Sequence, residues 1–187
     1  MNRRNLLAII GILAFIMVVG GISYSYFVYN KDIGSVSLTT GKISIDFSDV
    51  TGNINLNNVM PLSDIHGKVN DNYLDFTINS TVDTEKIYYE IYLLPKKDNT
   101  LNTKYLKTYL TDRNNNVIQD ITLYNNLDNS KKENGKVLYK GTIDLNSNKT
   151  TKNENKDFRL RMWLDEDYND LSSKIFDFDI YLYAINI

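Results

Sequence analysis

Residues 158–164, FRLRMWL, decide the fold class of this chain. The even-numbered positions of this stretch are all apolar, whereas Arg159 and Arg161 lie between them. This alternation puts successive side chains on opposite faces of a strand, so that one face packs against the core and the other contacts water. The stretch is therefore predicted to form a half-buried β-strand.

The same period recurs along most of the chain after residue 35, in residues 43–47, 53–57, 74–79, 87–93, 137–145 and 176–183. Asparagine-rich stretches typical of turns separate these segments, at residues 112–116, 125–135 and 146–156. Residues 104–110, KYLKTYL, are ambiguous between a strand and a short helix. Strands that are apolar on one face must cover one another. We therefore expect one all-β domain over residues 35–187, a two-sheet antiparallel β-sandwich or jelly roll.

The N-terminal segment predicts export. Arg3 and Arg4 precede an uncharged, apolar run from Leu6 to Ile22, and the next charged residue is Lys31. As a helix this run is about 26 Å long, slightly shorter than the hydrocarbon core of a membrane. A basic start followed by such a run is typical of a signal peptide or an uncleaved N-terminal membrane anchor. Because the arginines stay inside, the rest of the chain is expected to be extracellular or at the cell surface.

Ser23 and Ser25 provide a candidate cleavage site, because small residues two positions apart precede the cut in signal peptides. We expect cleavage after Ser25, with a retained anchor as the alternative. Residues 1–25 are then the leader, residues 26–34 a linker or donor-strand segment, and the remainder the sandwich. Cleavage would remove two arginines and shift the formal net charge from −2 to −4.

The composition excludes several classes of protein. With 42% hydrophobic residues the 187-residue chain is neither disordered nor a polytopic membrane protein. The absence of cysteine excludes a disulfide scaffold. Nucleic acid is not an expected partner, because 21 basic residues face 23 acidic ones and leave no basic excess.

No catalytic motif appears, and we predict no enzymatic activity, no metal site and no cofactor. His66 is the only histidine and lies in a polar turn, which favours a surface residue over a metal ligand or a catalytic base. The acidic residues 165–170, DEDYND, form either a solvated turn or a calcium site. The first interpretation is favoured, because the glycine and the spacing of a calcium loop are missing.

Four tyrosines are predicted to share one exposed sheet face: Tyr88, Tyr92, Tyr181 and Tyr183. Aromatic side chains on a sheet surface can bind sugar rings or a partner protein. Cross-strand packing of the rings is the alternative, and it requires no ligand.

The order of several short motifs resembles the TasA/camelysin family of secreted biofilm-matrix proteins, which carry SipW-type signal peptides. The leader ends in an aromatic segment, and the matching motifs that follow are LTTGKISI (38–45), NLNNVMP (55–61) and LDFTINS (74–80). The resemblance covers about the first half of the chain. It implies a jelly-roll domain, cleavage by a dedicated signal peptidase and assembly into extracellular fibres.

In fibres of this kind the freed N-terminal segment of one subunit adds a strand to the next subunit. The candidate donor consists of Tyr26, Phe27, Val28 and Tyr29, which are β-prone and mostly apolar. Strand addition would satisfy unpaired backbone groups and bury these rings. The alternative is that the segment pairs within its own sandwich or forms a stalk.

Two functions follow as hypotheses. The first is a secreted structural protein of the extracellular matrix, with other copies of itself or other surface proteins as partners. The second is a membrane-anchored, monomeric surface domain that binds a glycan or a protein. Camelysin-type proteins have also been called metallopeptidases, but a single histidine and no cysteine give no zinc site here.

Overall fold

The alternating segments fold into two antiparallel sheets in the computed structural model, which describes residues 37–40, 43–52, 54–56, 60–82, 86–130, 134–144, 152–170 and 174–186. The strands in this part of the chain are β1 (Ser37–Thr40), β2 (Ile43–Gly52), β3 (Tyr73–Val82), β4 (Lys86–Pro95), β5 (Leu106–Thr111), β6 (Val117–Leu123), β7 (Lys136–Asp144), β8 (Lys152–Leu164) and β9 (Phe178–Asn186). A short helix α1 (Asp64–Lys68) precedes β3, and 3-10 turns cover Thr103–Tyr105 and Tyr124–Asn126.

The larger sheet has six strands in the order β1-β2-β3-β8-β5-β6, and the smaller has three in the order β7-β4-β9. All of these strand pairs are antiparallel. The predicted two-sheet β-sandwich is therefore confirmed. The strand β8 lies between β3 and β5, so its apolar face lines the middle of the sandwich.

Aromatic side chains fill the space between the sheets. Phe158 is completely buried and stacks on Phe76, with ring centroids 5.1 Å apart and planes at 14°. Tyr139 of the smaller sheet reaches across to Phe158, with 5.1 Å between the ring centroids. Burying an apolar side chain of this size stabilises the fold by roughly 1.5–3 kcal/mol. These contacts hold the two sheets face to face.

Three local expectations differ from the structure. The ambiguous residues 104–110 form a 3-10 turn followed by β5, not a helix. Ile54 and Leu56, placed in a strand by their alternation, are buried but lie outside any strand. Residues 152–156, expected in a turn, form the start of β8, because they continue the pairing of β8 with β3 as far as Val82.

The outer face of the larger sheet is not left to water, as the alternation had suggested. The helix α1 lies against β8, and Gly67 sits so close to Trp163 that a Cβ atom there would be 2.2 Å from Cε2 of the indole. Trp163 is consequently only 1% exposed. The larger sheet is thus packed on both faces where α1 covers it.

The hairpin between β5 and β6 shows why asparagine is frequent in the turns. Oδ1 of Asp112 accepts hydrogen bonds from the backbone N–H groups of Asn114 and Asn116, both at 2.8 Å. Asn115 has a φ of 64°, a left-handed conformation that asparagine tolerates better than most residues. These contacts close the hairpin beside β8.

Candidate functional site

The tyrosines predicted to share a face lie together on the outer face of the smaller sheet. Tyr92 pairs with Tyr181 in the register of β4 and β9, and their rings stack with centroids 5.5 Å apart. Tyr183 lies opposite Glu90 in the same register and belongs to the same buried cluster. The cross-strand packing interpretation is therefore supported by direct ring contact.

The expected exposure of this face is wrong for three of the four rings. Tyr92, Tyr181 and Tyr183 are 3%, 7% and 6% exposed. Burial is the main cause that raises the pKa of Tyr92 to about 12, and the neighbouring Tyr181 is the second cause. These rings therefore do not offer the open aromatic surface that sugar binding requires.

Tyr88 is the exception, since its side chain is half-buried. Its hydroxyl donates a hydrogen bond of 2.6 Å to Oε1 of Glu90. Desolvation, together with this carboxylate, raises the pKa of Tyr88 to about 12. Tyr88 alone of the four keeps part of its ring accessible to a ligand.

The other predicted site residues at the N-terminus lie outside the described part of the chain. They are the leader residues Arg3, Arg4, Leu6 and Ile22, the cleavage residues Ser23 and Ser25, and the donor segment Tyr26, Phe27, Val28 and Tyr29. Among the residues that the structure describes, no helix is sufficiently long and apolar to cross a membrane.

His66 lies on the exposed side of α1. Its Nδ1 is 3.0 Å from Oγ of Ser63, within hydrogen-bond distance. The described residues contain no cluster of three or more histidine, cysteine, aspartate or glutamate side chains able to hold a metal ion.

The acidic turn at residues 165–170 uses its first carboxylate internally. Asp165 pairs with Lys107, which also bonds to Asp64 at 2.7 Å. The hydrogen bond from Lys107 is the main cause of the lowered pKa of Asp165. Asp170 pairs with Lys174 at 3.5 Å. Two of the turn's carboxylates are therefore already balanced by lysines.

A layer of arginines lies on the outer face of the larger sheet. Arg161 is 6% exposed, and its Nε donates to the carbonyl oxygen of Asn70 at 3.0 Å. Burial is the main cause that lowers the pKa of Arg161, and the positive charge of Arg159 lowers it further. Both guanidinium groups lie over the ring of Tyr73, at 4.2 Å for Arg159 and 5.3 Å for Arg161. Because these side chains are largely buried, the two arginines contribute to the packing of the fold.

No pattern in the sequence predicts a gap beside β8 among the described strands of the larger sheet. The strand β8 has 13 residues, but β5 pairs only with Arg159–Leu164. On that side of β8, the described partner strand ends opposite Arg159, so no described strand lies beside residues 152–158. We call this stretch the open row. Only the register of β5 and β3 on β8 reveals it, because the residues 152–157, KNENKD, are polar on both faces.

A groove of about 360 Å³ opens on the same flank, between β6 and β7. Its apolar lining includes Ile118, Leu127 and Val137, and one wall is Tyr139. Tyr139 also contacts the open row, because Nζ of Lys156 lies 4.3 Å from the centroid of its ring. The groove and the open row therefore meet at one aromatic side chain.

The proposed function rests on the sequence and on the geometry of these residues. No protein-family model and no curated protein matches the chain.

Proposed function

We propose that this chain is a secreted structural protein of the cell surface, which assembles head to tail into fibres of the extracellular matrix. In this proposal the leader is removed and the freed N-terminal segment of one copy adds a strand to the sandwich of the next. The observation that carries the proposal is the open flank of the sandwich, where β6, β7 and the open row of β8 are all available edges in the described region.

An open sheet edge favours association, because its backbone N–H and C=O groups need hydrogen-bond partners. Strand addition supplies those partners along the whole edge and specificity through alternate side chains. A contact that joins two different surfaces of identical copies propagates instead of closing, and its product is a filament. The apolar, β-prone segment Tyr26–Tyr29 has the composition of such a strand.

The test compares chains that differ only in the donor segment. Every described strand lies between Ser37 and Asn186, so chains that begin at Tyr26 or at Ser37 both retain the two sheets. We expect the chain from Tyr26 to form filaments visible by electron microscopy, and the chain from Ser37 to remain monomeric. A chain from Tyr26 that stays monomeric at high concentration contradicts the proposal.

The native N-terminus provides a second test. Mass spectrometry of the protein from its own cells should find Tyr26 as the first residue. A chain that retains Met1 could not release its donor segment, and it would support the membrane-anchored binding domain instead. Tyr88 would then be the ring to change in ligand-binding measurements.

A further inference from the structure

Arg161 is a buried cation that has no carboxylate partner in the described part of the chain. Its Nε donates to the carbonyl oxygen of Asn70, and its Nη2 donates to Oδ1 of Asn115 at 3.3 Å. Its Nη1 is buried and finds no acceptor among the described residues. Buried polar groups are almost always hydrogen-bonded, and a guanidinium stays charged in a protein. An unsatisfied, positively charged donor therefore lies inside the outer face of the larger sheet.

The carboxylates nearest to this guanidinium already bond to other groups. The two oxygens of Asp75 accept hydrogen bonds from Arg159. Oδ1 of Asp157 accepts from the hydroxyl of Thr77 at 2.7 Å and lies 3.9 Å from Nε of Arg113. Counting the buried cation, three guanidinium groups face two carboxylates on this part of the sheet. One positive charge is therefore left without a buried counter-ion.

The charges at the margin of this region do not change that balance. Asp112 lies at the surface, where its carboxylate accepts hydrogen bonds from the hairpin turn, and Asp71 is exposed. Water screens such charges, so neither carboxylate replaces a buried counter-ion. The ammonium of Lys68 is paired with Asp120 at 3.2 Å. The excess is one unit of charge, which one monovalent anion would balance.

A second unsatisfied donor lies on the neighbouring strand. Thr111 is fully buried, and its Oγ1 has no hydrogen-bond partner in the described structure. Tyr109 lies opposite Arg161 in the register of β5 and β8, and Thr111 is the next residue of β5 on that face. Thr111 and Arg161 are therefore diagonal neighbours, roughly 7–8 Å apart at the backbone and within reach of a long side chain. The bond to Asn115 directs the guanidinium toward this end of β5, because Asn115 belongs to the turn that follows Thr111.

We propose that Arg161 and Thr111 bind one small monovalent anion, of the size of chloride, beneath the turn of the β5–β6 hairpin. Nη1 of Arg161 supplies a charged donor, and Oγ1 of Thr111 supplies a neutral one. Because both side chains are buried, a phosphate ester or a peptide carboxylate does not reach them while the turn is closed. A water molecule would satisfy the same donors, but it would leave the buried charge without a counter-ion. This inference does not depend on the proposed assembly.

Urea unfolding of the full-length chain tests the site when sodium gluconate is exchanged for sodium chloride at constant ionic strength. An anion that binds one site of the folded state alone raises the folding constant about tenfold for each tenfold rise in its concentration above Kd. We expect this dependence in the parent chain and its loss in Arg161→Gln. The matched control is Lys86→Gln, which removes a positive charge from an exposed ion pair on the smaller sheet and should behave like the parent. The inference is overturned if the parent shows no chloride dependence, or if Arg161→Gln retains it.

The substitution Thr111→Val tests the second donor, because valine has nearly the shape of threonine but no hydroxyl group. Loss of a hydrogen bond to a charged group should weaken chloride binding about tenfold, so stabilisation should begin at a correspondingly higher chloride concentration. An unchanged dependence would contradict the role of Thr111. Should Arg161→Gln fail to fold, crystals of the parent chain grown in sodium bromide decide. Bromide should then give an anomalous-scattering peak beside Nη1 of Arg161, and the absence of that peak would overturn the inference.

Discussion

Asp75 and Arg159 form a bidentate ion pair between β3 and β8. Nε and Nη2 of Arg159 each donate to a different carboxylate oxygen of Asp75, both at 2.7 Å. The two side chains are only 8% and 16% exposed. The hydrogen bond to Asp75 is the main cause of the raised pKa of Arg159. The pair links adjacent strands that lie 84 residues apart in the sequence.

Replacing Asp75 with Asn should destabilise the protein strongly. The substitution leaves Arg159 without its carboxylate and close to the buried Arg161, and breaking a buried pair costs about 3–5 kcal/mol. Urea unfolding followed by circular dichroism measures the change. The matched control is Asp144→Asn, which breaks the exposed pair with Lys86 and should cost at most about 1 kcal/mol. Equal effects of the two substitutions would contradict the structural role of the buried pair.

Replacing Gly67 with Ala should displace α1 from the sheet. The added methyl group would meet the indole of Trp163, and overpacking of this kind costs about 1–3 kcal/mol. Trp163 is the only tryptophan, so its fluorescence reports this site alone. We expect a red shift of the emission and a lower unfolding midpoint. Ile65→Ala, at a position 78% exposed on the same helix, should leave both unchanged. An unchanged spectrum in Gly67→Ala would show that α1 does not lie on Trp163.

The hydroxyl of Tyr124 should make stability fall at alkaline pH. Burial raises the pKa of Tyr124 to about 12, and its Oη has no hydrogen-bond partner in the described structure. Since the neutral form is favoured in the folded state, its contribution is complete below about pH 10 and is lost as the pH rises toward 12.

The variant Tyr124→Phe should match or exceed the parent in stability at pH 7, by up to about 1 kcal/mol, because it removes an unpaired hydroxyl. Its advantage should grow above about pH 10, where only the parent carries the buried phenol. Unfolding free energies between pH 7 and 11 give the comparison. A difference that stays constant over this range would mean that the phenol titrates normally.

The pair of Asp165 and Lys107 predicts that the stability of the protein also falls at acid pH. The pKa of Asp165 is lowered, first by the hydrogen bond from Lys107. The carboxylate therefore stabilises the folded state above its unfolded pKa, and that contribution is lost as the pH falls through the folded value. Asp165→Asn should cost about 1.5–3 kcal/mol at pH 7. This deficit should shrink below about pH 4. A deficit independent of pH would show that the charge is not what matters.

The sequence predicted the sheets well wherever only one face of a strand is buried. It was less informative at residues 104–110, because Leu106 and Leu110 face the core while Tyr109 is buried on the outer face beneath Lys68 of α1. Burial on both faces removes the alternation by which a strand is recognised. Arg161 is also buried although its position predicted exposure, because its guanidinium packs against Asn70 and Asn115.

The candidate site was less predictable than the fold. The tyrosine face was correctly assembled from the alternation of β4 and β9, but its burial depends on packing that no periodicity reports. The open row could not be recognised at all. Asn153 and Asn155 resemble turn residues in sequence, and only their partners Thr81 and Asn79 on β3 place them in a strand. An unpaired edge is a property of strand order, which single-sequence patterns do not contain.

The position of β8 also determines when the fold can be completed. Its residues are translated after β1 to β7, yet the strand belongs between β3 and β5. The smaller sheet likewise needs β9, the last strand in the described part of the chain, beside β4. Neither sheet is complete until residues 152–186 have been synthesised, and contacts between residues so distant in sequence form slowly. Both sheets are therefore completed by the last described strands, β8 and β9.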